Sequence, residues 1–302
     1  MFYRLVIKLI GRINQPLMHK FAYLYSYMFC KLCHFLPLKF SLPMSPVEVM
    51  GLCLSNPIGL AGGFDRQGKF LRYSDITGFG FIEVGTVNVE PNYQAIEFIQ
   101  NLEKASQQFS NADNRQRWGI NLGSHRNSLD KHAVADYTKG MELFWCHVDY
   151  LVINLSRPGS PVRALKPDLK ELANFLSEIQ HHHRQLALAK GHSIPIVVKI
   201  AIDPVNNELL NDLLLLIKEQ DFDGVILAFE NWPDSKAIIE RLHTIKTVVD
   251  SLPLIVVGGV RTMADAKQLL NAGASLVQLY TTLVQSGPLK TRQAIASLNA
   301  LK

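Results

Sequence analysis

Past residue 50 the chain alternates between short apolar, β-branched runs and longer stretches whose apolar positions recur every three or four residues. The short runs predict strands at 56–61, 80–85, 117–122, 149–154, 195–200, 223–228, 253–258 and 275–280. The longer stretches predict helices, most clearly at 129–145, 167–189, 205–219, 235–250 and 262–271. Strands that alternate with helices imply a parallel sheet, because a parallel neighbour needs a crossover. Eight such units in about 250 residues fit a closed α/β barrel of the (β/α)8 TIM type. The alternative is an open, doubly wound sheet. Against it, no Gly-x-Gly-x-x-Gly follows the first strand, and polar or glycine residues follow nearly every strand instead of gathering at one switch point.

The start of the chain has a different pattern. Residues 1–10 and 20–37 mix aromatic and aliphatic side chains with sparse Lys and Arg, and Gly11 and Pro16 punctuate them. This predicts two short helices, too short and too charged to span a bilayer. Phe2, Tyr3, Phe21, Tyr23, Tyr25, Tyr27 and Phe29 suit a helix lying at a membrane interface, with the cations toward anionic headgroups. The other reading is an amphipathic pair packed on the protein's own body. Scattered charge and the lack of a small-residue cleavage site argue against a secretory signal.

Charge sharpens the division. The net formal charge is +5, yet residues 1–47 hold Arg4, Lys8, Arg12, Lys20, Lys31 and Lys39 with no acidic side chain, which leaves 25 basic against 26 acidic groups downstream. The expected organisation is a basic, amphipathic, membrane-surface segment over 1–47 and a barrel over 48–302. A nearly neutral body excludes nucleic acid as a partner on charge grounds. With 48% hydrophobic residues the chain is not a disordered one, and four cysteines in 302 residues are not a disulfide framework. Cys30 and Cys33 form a lone CxxC on an apolar helix and read as buried or lipid-facing thiols. His181, His182 and His183 do not share a helix face and read as a solvated helix end. No metal site is expected.

In a barrel the carboxyl ends of the strands make the functional face. Here they read Ala61-Gly62-Gly63-Phe64-Asp65-Arg66, Gly85-Thr86, Asn121-Leu122-Gly123-Ser124, Asn154-Leu155-Ser156-Arg157, Lys199, Glu230-Asn231, Gly258-Gly259 and Tyr280-Thr281-Thr282. Gly258 and Gly259 make either an ordinary tight turn or a backbone cradle for a phosphate. Lys199 lies in the apolar run VVKIA, so it snorkels from the mouth, faces a permanent anion or makes a structural ion pair. Together these features suggest a phosphorylated cofactor with an electron-rich ring near a cation.

The stretches MGLCLSNPIGLAGGFDRQG, GFGFIEVGTV, WGINLG, DYLVINLSRPGSP, IPIVVKIA, DGVI, PLIVVGG and AGASLVQLYTTLVQSGP, in this order from Met50, resemble the dihydroorotate dehydrogenases. The likeness is to the membrane-associated, quinone-using class, whose N-terminal segment covers the route by which quinone enters. The resemblance implies an FMN-dependent oxidation of dihydroorotate to orotate in pyrimidine biosynthesis. It also implies peripheral attachment at the cytoplasmic face of the inner membrane. It carries the FMN contacts over to Gly62, Gly63, Asp65, Arg66, Thr86, Asn121, Asn154, Lys199, Gly258, Gly259, Tyr280 and Thr281. Arg66, in place of the family's lysine, and Asn154 are the implied substrate contacts.

The chemistry side of the resemblance departs from the family. Arg157 occupies the position of the serine base, and a guanidinium does not accept a proton near neutral pH. Strand alternation would turn Ser156 away from the side Arg157 uses, which leaves Ser160 as the weak substitute. Gly159 replaces a substrate-holding asparagine. The family's substrate loop has no counterpart between Thr86 and Trp118, and residues 107–117 read as a polar loop. After the sixth strand the chain reads Ala228-Phe229-Glu230, and the following glycine-rich loop is deleted. Three functions therefore compete: a divergent dihydroorotate dehydrogenase, an FMN-binding paralogue with another small anionic substrate, and a non-catalytic barrel.

Overall fold

The computed structural model describes residues 2–36, 44–89, 92–109, 116–157, 160, 162, 168–204 and 209–298. Eight parallel strands close into a barrel: β3 (Ile58–Leu60), β4 (Phe81–Asn88), β5 (Arg117–Gly123), β6 (Tyr150–Asn154), β7 (Ile196–Ile202), β8 (Gly224–Phe229), β9 (Leu254–Val257) and β10 (Leu276–Leu279), with β10 bonded to β3. All eight strands fall on the runs predicted from the sequence. Helices α4 (Lys131–Phe144), α5 (Leu169–Lys190), α6 (Leu210–Glu219), α7 (Ser235–Val248) and α8 (Met263–Asn271) match the five predicted ones, although residues 205–208 of the third lie outside the described residues. Local chemistry sets their starts. Asp130, Asp168 and Asp234 accept backbone N–H groups as N-caps, and Thr262 with Asp265 forms a capping box.

Other elements differ from the reading of the sequence. An antiparallel hairpin, β1 (Val47–Val49) with β2 (Leu52–Leu54), precedes the barrel. The crossover after β3 is a short 3-10 helix over Leu71–Thr77. Helix α3 (Asn92–Phe109) fills the span after Thr86 that carried no predicted element; of the polar loop expected at 107–117, residues 107–109 are its last turn, 117 opens β5, and 110–115 lie outside the described residues. Two helices, α9 (Thr281–Ser286) and α10 (Pro288–Ser297), close the chain.

Strand alternation splits the core in two. Inside the barrel, Phe81, Tyr150, Val152, Val197, Ile226, Ile255 and Leu276 stack with Leu54 of the hairpin as one apolar plug, and the hairpin's Val47, Val49, Met50 and Leu52 pack against it. The intervening residues, such as Ile82, Val84, Leu151, Ile153, Val198 and Val277, face outward into the larger core beneath the helices. His183 belongs to that outer core. It is buried, its Nε2 lies 2.8 Å from the carbonyl of Ile194, and its ring sits 5.1 Å from that of Trp145. The solvated reading of this histidine is thereby corrected: one helical position is enough to turn it onto α4 while its neighbours stay nearer the surface. Trp145 is itself core, whereas the next residue, Cys146, is exposed.

At the N-terminus α1 (Phe2–Ile13) and α2 (Gln15–Phe35) form a pair. The second is longer than predicted because Pro16 falls in its first turn, where a missing N–H costs nothing, and Asn14 caps it. The small side chains Ala22, Ser26, Cys30 and Cys33 bury one face of α2, and burial raises both thiols above their ordinary pKa. The opposite faces carry Leu5, Leu9 and Ile13, then Leu24, Met28, Leu32 and Phe35, each more than half exposed. No helix among the described residues is long and apolar enough to cross a membrane.

Tyr150 presents a test of the inner plug. Its ring is almost fully buried, and its hydroxyl has no hydrogen-bond partner among the described residues. Burial, helped by Glu83, drives the phenol pKa well above its ordinary value. Removing an unpaired buried hydroxyl removes a desolvation cost. Tyr150→Phe should therefore leave the free energy of urea unfolding unchanged or raise it, by up to about 1–3 kcal/mol. Tyr150→Ala should lower stability by about 3–5 kcal/mol through the cavity it opens.

Candidate functional site

The alternation that sends Phe81 into the apolar plug sends Glu83 inward one step nearer the carboxyl ends of the strands. The same holds for Val197 and Lys199 on β7 and for Leu276 and Gln278 on β10. Glu83 has no exposed surface. Its Oε1 accepts from Lys199 Nζ at 2.6 Å and from Asn121 Nδ2, and its Oε2 accepts from Gln278 Nε2 at 2.7 Å. Three donors from three other strands thus converge on one carboxylate.

The carboxylate fixes the orientation of what lies beyond it. Asn121 turns its nitrogen to Glu83, so its Oδ1 faces Asn154 and accepts from Asn154 Nδ2 at 2.8 Å. That same nitrogen donates to Thr86 Oγ1 at 3.2 Å. Asn154 Oδ1 then accepts from both the backbone N–H and the hydroxyl of Ser156, at 2.9 and 2.8 Å. Gly62 is needed where the first strand passes this network, because a Cβ there would collide with Glu83 Oε1.

Three cavities meet around the mouth. The first, of about 420 Å³, has Gly62, Thr86, Asn121, Asn154 and Lys199 in its lining. Ser156, Arg157, Glu230, Gly258 and Tyr280 also line it, with Ala61, Ala228 and Val257 as apolar wall. The second, of about 880 Å³, lies between α2 and the loop after β3. His19 and Tyr23 face Gly63, Phe64 and Arg66 across it, and Tyr280 forms part of its wall. The third, also about 420 Å³, shares Phe229 with the first and is lined by Gly259, Arg261 and Thr281. Gly258 holds φ at +107°, and a Cβ there would run into the carbonyl of Phe229.

The structure therefore brings Gly62, Thr86, Asn121, Asn154, Lys199, Gly258 and Tyr280 to one cavity. It places Gly63 and Arg66 in the second and Gly259 and Thr281 in the third. Asp65 lines none of them. It is fully buried, its Oδ2 accepts from the N–H groups of Phe70 and Leu71 at 2.8 and 3.2 Å, and its Oδ1 accepts from the Tyr23 hydroxyl at 3.4 Å. Its place is to hold the loop after β3 and to anchor α2. The expected opposition of Ser156 and Arg157 is corrected: β6 ends at Asn154, alternation ends with it, and both residues line the same cavity. Ser160, the expected substitute base, is buried and does not line that cavity. Gly159 lies outside the described residues.

The sequence reading passed over Glu83, Gln278 and His19. The first two had a signal, a polar side chain in the apolar runs FIEVG and LVQLY, of the same kind that singled out Lys199 in VVKIA. His19 had none, since only the fold of α2 onto the barrel brings it 5.3 Å from the Tyr280 ring. Its Nδ1 is buried without a hydrogen-bond partner among the described residues, and burial, then the nearby Arg66 cation, lowers its pKa.

Burial raises the Asp65 pKa to about 6, against the pull of its hydrogen bonds. The folded chain then binds this proton more tightly than the unfolded chain. The associated stability is complete below about pH 4 and is lost as pH rises toward 6. Urea unfolding between these pH values should show a fall of roughly 3 kcal/mol from this group. Asp65→Asn should lack that component of the slope.

Comparison with known proteins follows the same lines. A dihydroorotate dehydrogenase family model matches residues 235–301. A dihydroorotate dehydrogenase (quinone) of Christiangramia forsetii is 31% identical, over 89% of this chain and 90% of its own. That of Neisseria meningitidis serogroup C is 30% identical, over 84% of this chain and 87% of its own. A crystal structure of DHODH from Eimeria tenella in complex with ferulenol shares the fold with a TM-score of 0.76 at 22% identity, covering 98% of this chain and 94% of the other.

Proposed function

The chain belongs to the dihydroorotate dehydrogenase family, and from that premise we propose that it is a membrane-surface flavoprotein of pyrimidine biosynthesis. It would oxidise dihydroorotate to orotate with FMN and pass the electrons to a quinone. The observation that carries this is the convergence of Lys199, Asn121, Asn154 and Thr86 in one cavity whose lining also includes Gly258 and Tyr280. This donor set fits FMN. Lys199 gives one of its three N–H groups to Glu83 and keeps two for the polar edge of a ring. Ala61, Ala228 and Val257 offer apolar wall to the ring faces. Gly258, Gly259, Tyr280 and Thr281 would hold the phosphate, with Arg261 beside Gly259 in the adjoining cavity. When bound, FMN would supply the two-electron chemistry that side chains lack.

The chain's own residues divide the remaining work. Arg157 would bind the substrate carboxylate, as a guanidinium can do with two parallel hydrogen bonds. Ser156 is not the base, because its hydroxyl donates to an amide oxygen, Asn154 Oδ1, which does not take the proton that Ser156 would have to pass on. Glu230 is the one carboxylate in the cavity lining among the described residues, and proton acceptance falls to it. The larger cavity suits a quinone: Phe64, Tyr23 and Pro16 give it apolar wall, while His19 and Arg66 can donate to a quinone carbonyl. The exposed leucines of α1 and α2 lie along helical stripes of the kind that enter a membrane interface. The segment 1–47 would thus serve both membrane docking and quinone access. A second reading, another small anionic substrate, draws on Arg157, which adds a permanent cation where proton removal is needed.

Purified protein should be yellow, release FMN on denaturation, and lose its flavin colour when dihydroorotate is added anaerobically. Glu230→Gln should slow that bleaching by about 10²–10⁴ with FMN content unchanged. A protein that stays colourless after FMN addition overturns the proposal. A flavin that dihydroorotate never bleaches selects the second reading. In steady-state assays, His19→Ala should raise the KM for a short-chain quinone and leave anaerobic bleaching by substrate unaltered.

A further inference from the structure

We propose that Glu83 is the positioning residue of this site, the buried charge that holds Lys199 and sets the amide orientation of Asn121 and Asn154. Toward the ring it lowers the tendency of the cavity to favour added electrons. The inference rests on reading the cavity as a flavin site. Its geometric half stands on the hydrogen bonds alone.

Glu83 is fully buried, and its two oxygens accept from Lys199, Asn121 and Gln278, each reaching in from a different strand. An ionised carboxylate only accepts, so each partner must present a donor. That requirement decides the sense of the whole chain of bonds. Asn121 shows nitrogen to Glu83 and oxygen to Asn154, and Asn154 in turn shows oxygen to Ser156. A glutamine at position 83 would break this logic, since its amide can donate or accept at either end of a 180° flip.

The electrostatic half follows from the 2.6 Å contact. Lys199 is nearly buried at the cavity floor, and Glu83 balances its charge at short range. A ring lying against Lys199 meets a compensated ion pair instead of a bare cation. Taking away the negative partner leaves the cation uncompensated in a low-dielectric surrounding, where it would favour the more negative, reduced form of the cofactor.

The test compares Glu83→Gln, Lys199→Met and the double variant, each as purified, FMN-loaded protein, by the reduction potential of the bound flavin. Glu83→Gln should shift the preference toward reduced FMN about tenfold, which for a two-electron couple is about 30 mV more positive. The double variant should match Lys199→Met, because a buried carboxylate deprived of its cation takes up a proton, which leaves residue 83 neutral in both. Glu83→Asp, which keeps the charge, should return the potential most of the way. A potential unmoved in Glu83→Gln, or a shift that survives undiminished without Lys199, overturns the inference. If the protein binds no FMN, the proposed function fails and the inference is decided on the flavin-free chain. There, acylation of Lys199 by acetic anhydride, followed by mass spectrometry, should be faster in Glu83→Gln than in the parent. Equal rates would overturn it.

Discussion

A carboxylate stripped of water inside a barrel is tolerable only if other groups take over what water did. Glu83 meets that demand with one cation and two amides drawn from three other strands. The arrangement divides the barrel interior by height. On one side the alternation delivers aromatic and aliphatic side chains to a sealed plug, closed off by the β1–β2 hairpin. On the other it delivers hydrogen-bonding groups, each committed in direction by the one before it. The cavity therefore has a floor whose donors and acceptors are fixed before any ligand arrives, as a binding site of high precision requires.

The strand pattern and five crossover helices were legible because period-two and period-3.6 signals are local. Two local elements escaped notice all the same. Helix α3 was obscured by comparison with a family in which that span differs. The hairpin has strands of three residues each, too short for a period to register. Most of the mouth residues could be read from their positions at strand ends, yet the ends do not share one cavity. Gly63 and Arg66 turn toward α2, and Gly259 and Thr281 turn toward the third cavity. Asp65 illustrates the limit most clearly: its place at a strand end suggested a ligand contact, while the loop that follows folds back onto its Oδ2 and Tyr23 of α2 takes its Oδ1. No pattern of residue types separates these outcomes, since both put an acid after a pair of glycines.

Of the two readings the sequence left open for the N-terminal pair, the structure shows the one in which the helices pack on the protein's own body. Small side chains at Ala22, Ser26, Cys30 and Cys33 let α2 lie close against the barrel. Bulky ones spaced by four residues leave the other side bare. Tyr23 ties the inner face to Asp65 and also forms wall of the larger cavity, so the anchoring contact and the cavity wall share a residue.

Tyr280 stands in the lining of both the first and the second cavity, with the His19 ring on one side and Gly258 in the same lining on the other. A single aromatic ring is a thin partition. It is thick enough to keep two bound molecules from mingling, yet thin enough that charge can cross without either molecule moving. On the proposed reading, the donor and the acceptor of electrons would visit separate chambers by separate doors. Neither would have to wait for the other to leave.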